Sequence, residues 1–466
     1  MSFSLPLGDT TFPGKRALME TVRPRKDNLE PPEWPRPMVA IAEILHGKHT
    51  GAPVELKGWI YRTRTMGGKA FVVVRDATGV IQTTIAKDKV SAESFAAAEK
   101  ALIESAVVVK GAVVADKRAP GGFEIRATDF RVVHFAEKYP IQEDQSEEFL
   151  LDVRHLWVRS QRMTTIFRIR DATFKAVHDY FRGQGFWEVS PPMITPAGSE
   201  GGSTLFEVEY FGKKAYLTQS WQLYAEALVL AMEKIYYIGP SFRAEKSRTT
   251  RHLTEFWHAE MEQAWVGMDE VLKHAEGVIS HACQIVAEER PDDVVAMGRT
   301  PEFLKAVRPP FEHITYDDAI KVLKSKGIEI EWGKDLRTLE ERALTEGKTK
   351  PVVVTHYPRM SQAFYKARDP KHPDLVLGFD VIAGDGVGEV VGGSERETDL
   401  EVIKKSLLEQ GEDPKSYDWY LDSRRYGSVQ HAGFGMGMER LIQWICKLEH
   451  IRDAVPFPRT PARSYP

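Results

Sequence analysis

Phe242-Arg243-Ala244-Glu245, followed through Arg251-His252 by Glu255-Phe256-Trp257, is the stretch on which the reading of this chain turns. A strand ending in Phe-Arg-Ala-Glu sets a guanidinium where it can fork onto a phosphate or a carboxylate, with Glu245 two residues later on the same side. The segment from Lys246 to Arg251 is polar and basic, suited to a loop over a polyphosphate whose outer groups Arg251 and His252 can reach. Phe256, on the returning strand, offers a ring to a flat base. A solvated β-hairpin whose charges pair with one another fits the same letters.

Gly433-Phe434-Gly435-Met436-Gly437-Met438-Glu439-Arg440 is dense in glycine and then becomes a helix. Glycines let a backbone approach a ligand closely, and an arginine in the first helical turn can lie against a purine and an outer phosphate. A tight strand-to-helix turn without ligand uses the same residues. A third block runs from Phe379-Asp380-Val381 to Gly388-Glu389 and on through Gly392-Gly393-Ser394-Glu395-Arg396. Asp380 and Glu389 are hard oxygen ligands of the kind Mg²⁺ accepts while keeping waters and substrate phosphates, or two carboxylates solvated at strand ends. Nothing in the sequence supports zinc. The order and chemistry of these blocks suit a pocket that grips ATP in a bent shape and makes an acyl-adenylate.

With 466 residues, 42% hydrophobic and 28% charged, the chain can bury one large core and at least one smaller one. A formal net charge of −4 excludes binding of nucleic acid by bulk positive charge, so any RNA contact must be local. Cys283 and Cys446 lack the spacing of a metal site or disulfide framework. No run approaches the length of a membrane span and no signal-peptide pattern opens the chain, which places it in the cytoplasm with no membrane partner.

Residues 1 to 50 read as an extension, with Pro6, Pro13, Pro24, Pro31, Pro32, Pro35 and Pro37 and little apolar periodicity. From 51 to 136 five short β-type runs, with a helical stretch from Ser91 to Leu102 after the third, give the pattern of a five-stranded OB-fold β-barrel. Residues 137 to 160, acidic from Pro140 to Asp152, read as a hinge. From 161 to 466 longer helices and strands alternate, an α+β body in which the weaker signals at 290 to 345 read as an insertion.

Pro192, the block from Phe242 to Glu262 and the block from Gly433 to Arg440 resemble, in order, the three signature motifs of class II aminoacyl-tRNA synthetases. The preceding barrel is similar to that of the aspartyl, asparaginyl and lysyl subgroup. Arg251-His252-Leu253-Thr254-Glu255-Phe256-Trp257, Gly392-Gly393-Ser394-Glu395-Arg396-Glu397 and Pro456-Phe457-Pro458-Arg459-Thr460-Pro461 look most like asparaginyl-tRNA synthetases. The resemblance spans Val54 to Pro466. It implies an antiparallel catalytic sheet flanked by helices, and ligation of asparagine to tRNA through an adenylate made from ATP.

Roles follow from the resemblance. Arg243 would bind the α-phosphate and the substrate carboxylate, Glu245 the adenylate or the terminal adenosine of tRNA, and Arg251 and His252 the outer phosphates. Phe256 and Arg440 would sandwich adenine, and Asp380 and Glu389 would hold Mg²⁺. Gln219 and Glu200 would lie near the substrate ammonium, and Pro192 in the interface of a homodimer. Catalysis would be in-line attack of a carboxylate on the α-phosphorus, driven by positioning and charge neutralisation at Arg243 and Arg440.

Asparagine and aspartate differ by an amide in place of a carboxylate. Aspartyl enzymes resemble the chain at Gln219 to Tyr224 but then place a lysine, where this sequence has Ala225. Glu260 would accept from the substrate NH₂ while Arg396 donates to its carbonyl; an ion pair between Glu260 and Arg396 is the other reading. An aspartyl enzyme with an unusual acid pocket, or a paralogue making a free amino acid through an adenylate, are the alternatives. On the barrel, Arg64, Phe71 and Gln82 fall where this subgroup reads the central uridine of the anticodon, Phe71 by stacking; Phe71 could instead belong to the core.

Overall fold

The structure, a computed structural model, describes residues 39–142, 144–199, 204–246 and 249–466, so the proline-rich stretch before Val39 lies outside the described residues. The chain divides into two compact units, 1–140 and 141–466.

In the first unit β1 (Pro53–Met66), β2 (Lys69–Arg75), β3 (Val80–Ala86), β4 (Ala106–Ala115) and β5 (Phe123–His134) close into a barrel in the order β1-β2-β3-β5-β4. Successive side chains of a strand face opposite ways, so Leu56, Val72, Val74, Ile81, Ile85 and Val109 fill the interior. The helix Ala92–Lys100 joins β3 to β4, its N-terminus capped by Ser91, whose hydroxyl accepts from the Ser94 amide at 3.0 Å. Ile41 and Ile44, on a short helix before β1, are fully buried in the same core. At about 1.5–3 kcal/mol per buried side chain, they tie residues assigned above to the extension into the barrel itself.

The second unit is built on β6 (Trp187–Glu188), β10 (Lys234–Phe242), β11 (Glu255–Ala264), β12 (Glu312–Thr315), β13 (Val352–Thr355), β14 (Gly378–Ala383), β15 (Gly388–Glu395) and β16 (His431–Gly437). They form one sheet, ordered β12-β13-β14-β15-β16-β11-β10-β6. Its six central strands pair antiparallel, while β12 and β6 join the edges in parallel. A small sheet of β7 (Ile194–Thr195), β8 (Glu207–Tyr210) and β9 (Lys213–Leu217) lies beside it in sequence.

The helices Gln161–Gly183 and Met268–Glu289 cover one face. Ile166, Ile169, Ala176, Val278 and Ala282 pack there with Tyr236, Ile238, Ala259, Met261, Phe379, Val391, Phe434 and Met436 from the strands. Alternation therefore sends the residues between them, including His258, Glu260, Glu262, Asp380, Gly392, Gly433 and Gly435, to the opposite face.

Residues 290–345, expected as an insertion, pack into the body of the unit. They supply β12, and their helices Tyr316–Ser325 and Thr338–Thr345 pack through Tyr316, Ile320, Leu323 and Leu344 on Val352, Val354 and Ile382 of the sheet. From 141 on, the expected hinge is also built in. Arg154, 1% exposed, donates to the carbonyls of Pro456 and Val455, each at 2.8 Å, and of Arg452 at 3.1 Å. The tail beyond these carbonyls reaches β11, where Arg459 O accepts from the Thr254 amide at 2.9 Å. Cys283 and Cys446 are buried and unpaired; burial pushes the Cys283 thiol up to about 12, which leaves it inert at neutral pH.

Candidate functional site

The site grows out of one rung of the sheet. Glu260 on β11 pairs with Gly435 on β16, Gly435 with Gly392 on β15, and Gly392 with Asp380 on β14. Two carboxylates thus stand at the ends of a trough floored by two glycines. A side chain at Gly435 would meet only ordinary contacts, 3.6 Å from Glu260 Cγ, whereas a Cβ at Gly392 would press within 2.8 Å of Glu389 Oε1 and lie 3.5 Å from Asp380 Oδ1.

On one side of the rung is a cleft open to solvent. Arg243, Glu245, Arg251, His252, Phe256, Glu389 and Arg440 all line it. Arg243 follows β10 and its amide donates to Thr254 O at 3.0 Å; its guanidinium carbon lies 5.6 Å from the centre of the Phe256 ring. Arg440, in the first turn of the helix Met438–Ile445, donates to the Glu389 carbonyl at 2.5 Å. The preceding Glu439 is buried and anchors the turn, accepting from the Trp257 amide at 2.8 Å and from Arg170 at 2.7 Å. Burial, then the nearby Arg440, Arg251 and Arg243, lower the His252 imidazole to about 4. The same combination of burial with Arg243 and Arg440 holds His258 well below the usual range. Both rings are neutral at physiological pH, so neither adds to the charge of the three arginines.

A second chamber continues across the rung and shares Arg243, Arg251, His258, Glu389 and Gly435 with the first. Arg396 and Glu260 face into it, but they are not partners of one another in a hydrogen-bonded pair. Arg396 Nε and Nη2 each donate to Glu262, both at 2.9 Å, and Nη1 donates to Ser394 Oγ at 2.8 Å. Glu260 accepts from the Ser220 hydroxyl and from the Trp221 amide at 2.9 Å. The ion pair weighed above as the other reading of Glu260 is made instead by Glu262, one alternation further along β11. Beneath it Glu226, fully buried, takes Arg424, Tyr420 and His431 as partners. Ala225 is fully buried, packed among Trp221, Val229 and Tyr237. Lys366 does line the chamber, with its ammonium on Gln362 Oε1 at 2.5 Å and close enough to draw down the Asp380 and Glu389 carboxyls.

Asp380 and Glu389 reach the same corner because β15 carries a bulge: Val391 opposes Val381 but Glu389 opposes Ile382, with Val390 left over. Burial and then the charge of Glu389 push the Asp380 carboxyl up to about 7. For Glu389 burial works in the same direction, but Arg440, Arg243, Lys366 and Arg251 outweigh it and hold the group below its ordinary value. Two converging carboxylates of which one resists ionisation are a donor set that a divalent cation would relieve.

Gln219 lines neither chamber; its amide accepts from the Ser199 amide at 3.1 Å and donates to the Thr204 hydroxyl at 2.6 Å. Glu200 lies outside the described residues. Pro192 is exposed just before β7. The sequence reading missed His258, Glu262, Asp335, Glu341, Tyr357 and Lys366. The first two were available from alternation about Glu260. The others come from elements whose placement only the sheet order reveals.

On the barrel, Arg64 and Phe71 are paired across β1 and β2, with the guanidinium carbon 4.7 Å from the ring centre. Phe71 lies outside the core that Val72 and Val74 fill, and is half-buried on the outer surface. Gln82 is on the adjacent strand, donating to Glu124 at 3.2 Å. Among the described residues no helix is long and apolar enough to cross a membrane, and no group of three or more ligating side chains is placed to hold a metal by itself.

Residues 146–461 match the family described as tRNA synthetases class II (D, K and N), and residues 54–133 match an OB-fold nucleic acid binding domain. The asparagine–tRNA ligase of Thermococcus gammatolerans is 46% identical over 89% of this chain and 96% of its own. That of Thermoplasma acidophilum is 43% identical over 92% and 100%. Among solved structures, asparaginyl-tRNA synthetase from Pyrococcus horikoshii complexed with asparaginyl-adenylate superposes with a TM-score of 0.89 at 45% identity, covering 92% of this chain and 99% of that one. An aspartyl-tRNA synthetase from Entamoeba histolytica superposes at 0.79 with 26% identity, covering 92% and 93%.

Proposed function

The chain belongs to the class II tRNA synthetases, and we infer from that membership and from the chamber around Arg396 that it is an asparagine–tRNA ligase. It condenses asparagine with ATP to an asparaginyl-adenylate, releasing diphosphate, and passes the asparaginyl group to tRNA, releasing AMP. The observation that carries the substrate is the charge of the chamber. Arg396 is already neutralised by Glu262, Glu260 adds a further negative charge, and the position of the aspartyl-type lysine is a core alanine. Such a chamber repels a second carboxylate and can satisfy an amide from both ends.

In the first step Arg243, standing where the two chambers meet, holds the α-phosphate and the amino-acid carboxylate together. The carboxylate oxygen attacks phosphorus in line and diphosphate leaves. Phe256 and Arg440 flank the adenine, while Arg251 and neutral His252 donate to the outer phosphates. In the second step a ribose hydroxyl of the terminal adenosine, near Glu245, attacks the adenylate carbonyl and AMP departs. None of this requires a covalent nucleophile of the protein; orientation and fixed positive charge supply the acceleration. Asp380 and Glu389 would hold Mg²⁺, which when bound neutralises phosphate charge.

Arg64, Phe71 and Gln82 present a stacking and hydrogen-bonding surface for the central base of the anticodon. The exposed edge strand β6, with Trp187 63% exposed, and the nearby Pro192 and Ile194 offer an apolar seam for a second copy, giving a homodimer. The cytoplasm, where tRNA is charged, is its place of work.

The test is ATP–pyrophosphate exchange with Mg²⁺ and no tRNA, run with asparagine and with aspartate. Exchange with asparagine alone is the expected result. Exchange with aspartate alone would overturn the chamber reading and leave the adenylate chemistry standing.

A further inference from the structure

Arg251 is held in place by a residue from a distant part of the chain. Its Nη1 is paired with Glu341 Oε2, which lies 90 residues further on, on the helix Thr338–Thr345. The other oxygen of Glu341 accepts from the Glu389 backbone amide at 3.3 Å, so one carboxylate is fixed to both the triphosphate side and the carboxylate corner. The two side chains are well enclosed, 12% and 6% exposed. Gly388, at φ +79°, makes room for them: a Cβ there would run into both Arg251 Nη1 and Glu341 Oε2. The buried Nε of Arg251 has no hydrogen-bond partner among the described residues.

A guanidinium carries five donors in a rigid fork. Held at one corner by a carboxylate, it keeps the rest for a second anion and gains a fixed orientation. It also stands beside Arg243 and Arg440, and without a counter-charge three cations lining one cleft would push Arg251 outward. We propose that Glu341 is a positioning residue for the triphosphate, seating Arg251 over Gly388 with its remaining N–H groups free for the outer phosphates of ATP. The proposal rests on Arg251 being an ATP-binding residue, and it gives the segment at 290–345 a part in the first half-reaction.

The experiment is ATP–pyrophosphate exchange with the full chain and four variants: Glu341→Gln, Glu341→Asp, Arg251→Ala and the double variant Arg251→Ala/Glu341→Gln. Glu341→Gln raises KM for ATP about tenfold, about 1.4 kcal/mol, while KM for asparagine stays within about twofold. Glu341→Asp, which keeps the charge, recovers part of the loss, and it carries the test if the glutamine variant does not fold. In the Arg251→Ala background Glu341→Gln adds nothing further. An unchanged KM for ATP, an equal rise for asparagine, or additive effects of the two substitutions would overturn the proposal. If Arg251→Ala alone left KM for ATP unchanged, the assignment of Arg251 would fall first and the role of Glu341 with it.

Discussion

Glu260 and Asp380 face the same trough from opposite ends of a single rung, with only Gly435 and Gly392 between them. A sheet spaces its strands by about 4.8 Å, so the two carboxylates are set roughly three strand widths apart. Under the proposed function, that span separates the end that would read a side chain from the end that would take a metal.

The glycine floor can be tested without disturbing the fold. A Cβ at Gly435 meets nothing closer than 3.6 Å, and glycine-to-alanine changes in compatible strand positions alter stability by about 1 kcal/mol or less. Gly435→Ala should melt within a few degrees of the parent yet lose at least about tenfold in adenylate formation. Thermal melts beside exchange rates check this; full activity would mean that substrate does not lie on the floor.

Glu262→Gln removes half of the clamp on Arg396 and leaves a buried guanidinium undercompensated. Breaking such a pair costs about 3–5 kcal/mol of stability in typical cases. The expected kinetic signature is a raised KM for asparagine with KM for ATP little changed, because the clamp lies on the far side of the rung from the nucleotide cleft. Chemical denaturation and exchange kinetics separate the two effects.

Glu260→Gln takes away the charge that repels aspartate. The ratio of exchange rates for asparagine over aspartate should fall by about tenfold or more, equivalent to about 1.4 kcal/mol of discrimination. Unchanged kinetics for both amino acids would remove Glu260 from substrate recognition.

The Asp380 and Glu389 corner predicts a pH dependence. The folded-state pKa of Asp380 is raised to about 7 from an ordinary 3.8, so between those values the folded protein retains a proton that the unfolded chain has released. This contribution to stability is present at low pH and is lost as pH rises toward 7. Metal binding needs the proton gone, so the stabilisation by Mg²⁺ should grow over the same window. Melts near pH 5.5 and 7.5, with and without MgCl₂, measure it. An equal Mg²⁺ increment at both values, or no change in the trend for Asp380→Asn, would count against this corner as the metal site.

For the barrel, Phe71→Ala should leave asparagine activation intact and weaken charging of tRNA, since base stacking on an aromatic contributes about 1–3 kcal/mol. Because Phe71 is outside the core, the variant should stay folded, and circular dichroism of the purified chain would show whether it does.

Much of this was legible before any coordinates. The five-strand pattern with a helix after the third strand reads as a barrel, and period-two burial is clear in β1 and β3, at Val54-Leu56 and Ile81-Ile85. The blocks around Arg243 and Arg440 likewise come together on one cleft, and the block around Asp380 on the chamber beside it. What stayed hidden depends on register. Glu260 and Glu262 face the same side of β11 only about 6.8 Å apart, and which one meets Arg396 is decided by pairing with Gly433 and Ser394, not by spacing. Glu341 was hidden for a different reason: its helix lies in the stretch read as an insertion, and only its packing on β14 and β15 brings Glu341 beside Gly388. The short helix with Ile41 and Ile44 escaped because it follows so many prolines.

The hydrogen bond from the Thr254 amide to Arg459 O, together with Pro461 in the wall of the nucleotide cleft, sets a schedule for synthesis. Arg243 and Phe256 leave the ribosome roughly two hundred residues before the segment that completes their cleft, so at about 5–20 residues per second the nascent chain passes ten seconds or more with an open, basic half-site. The cleft proposed to take ATP has its full wall only after Pro461 has emerged. A chain released early through a stop between Arg440 and Arg459 would thus carry all three signature motifs and still lack part of the cleft wall.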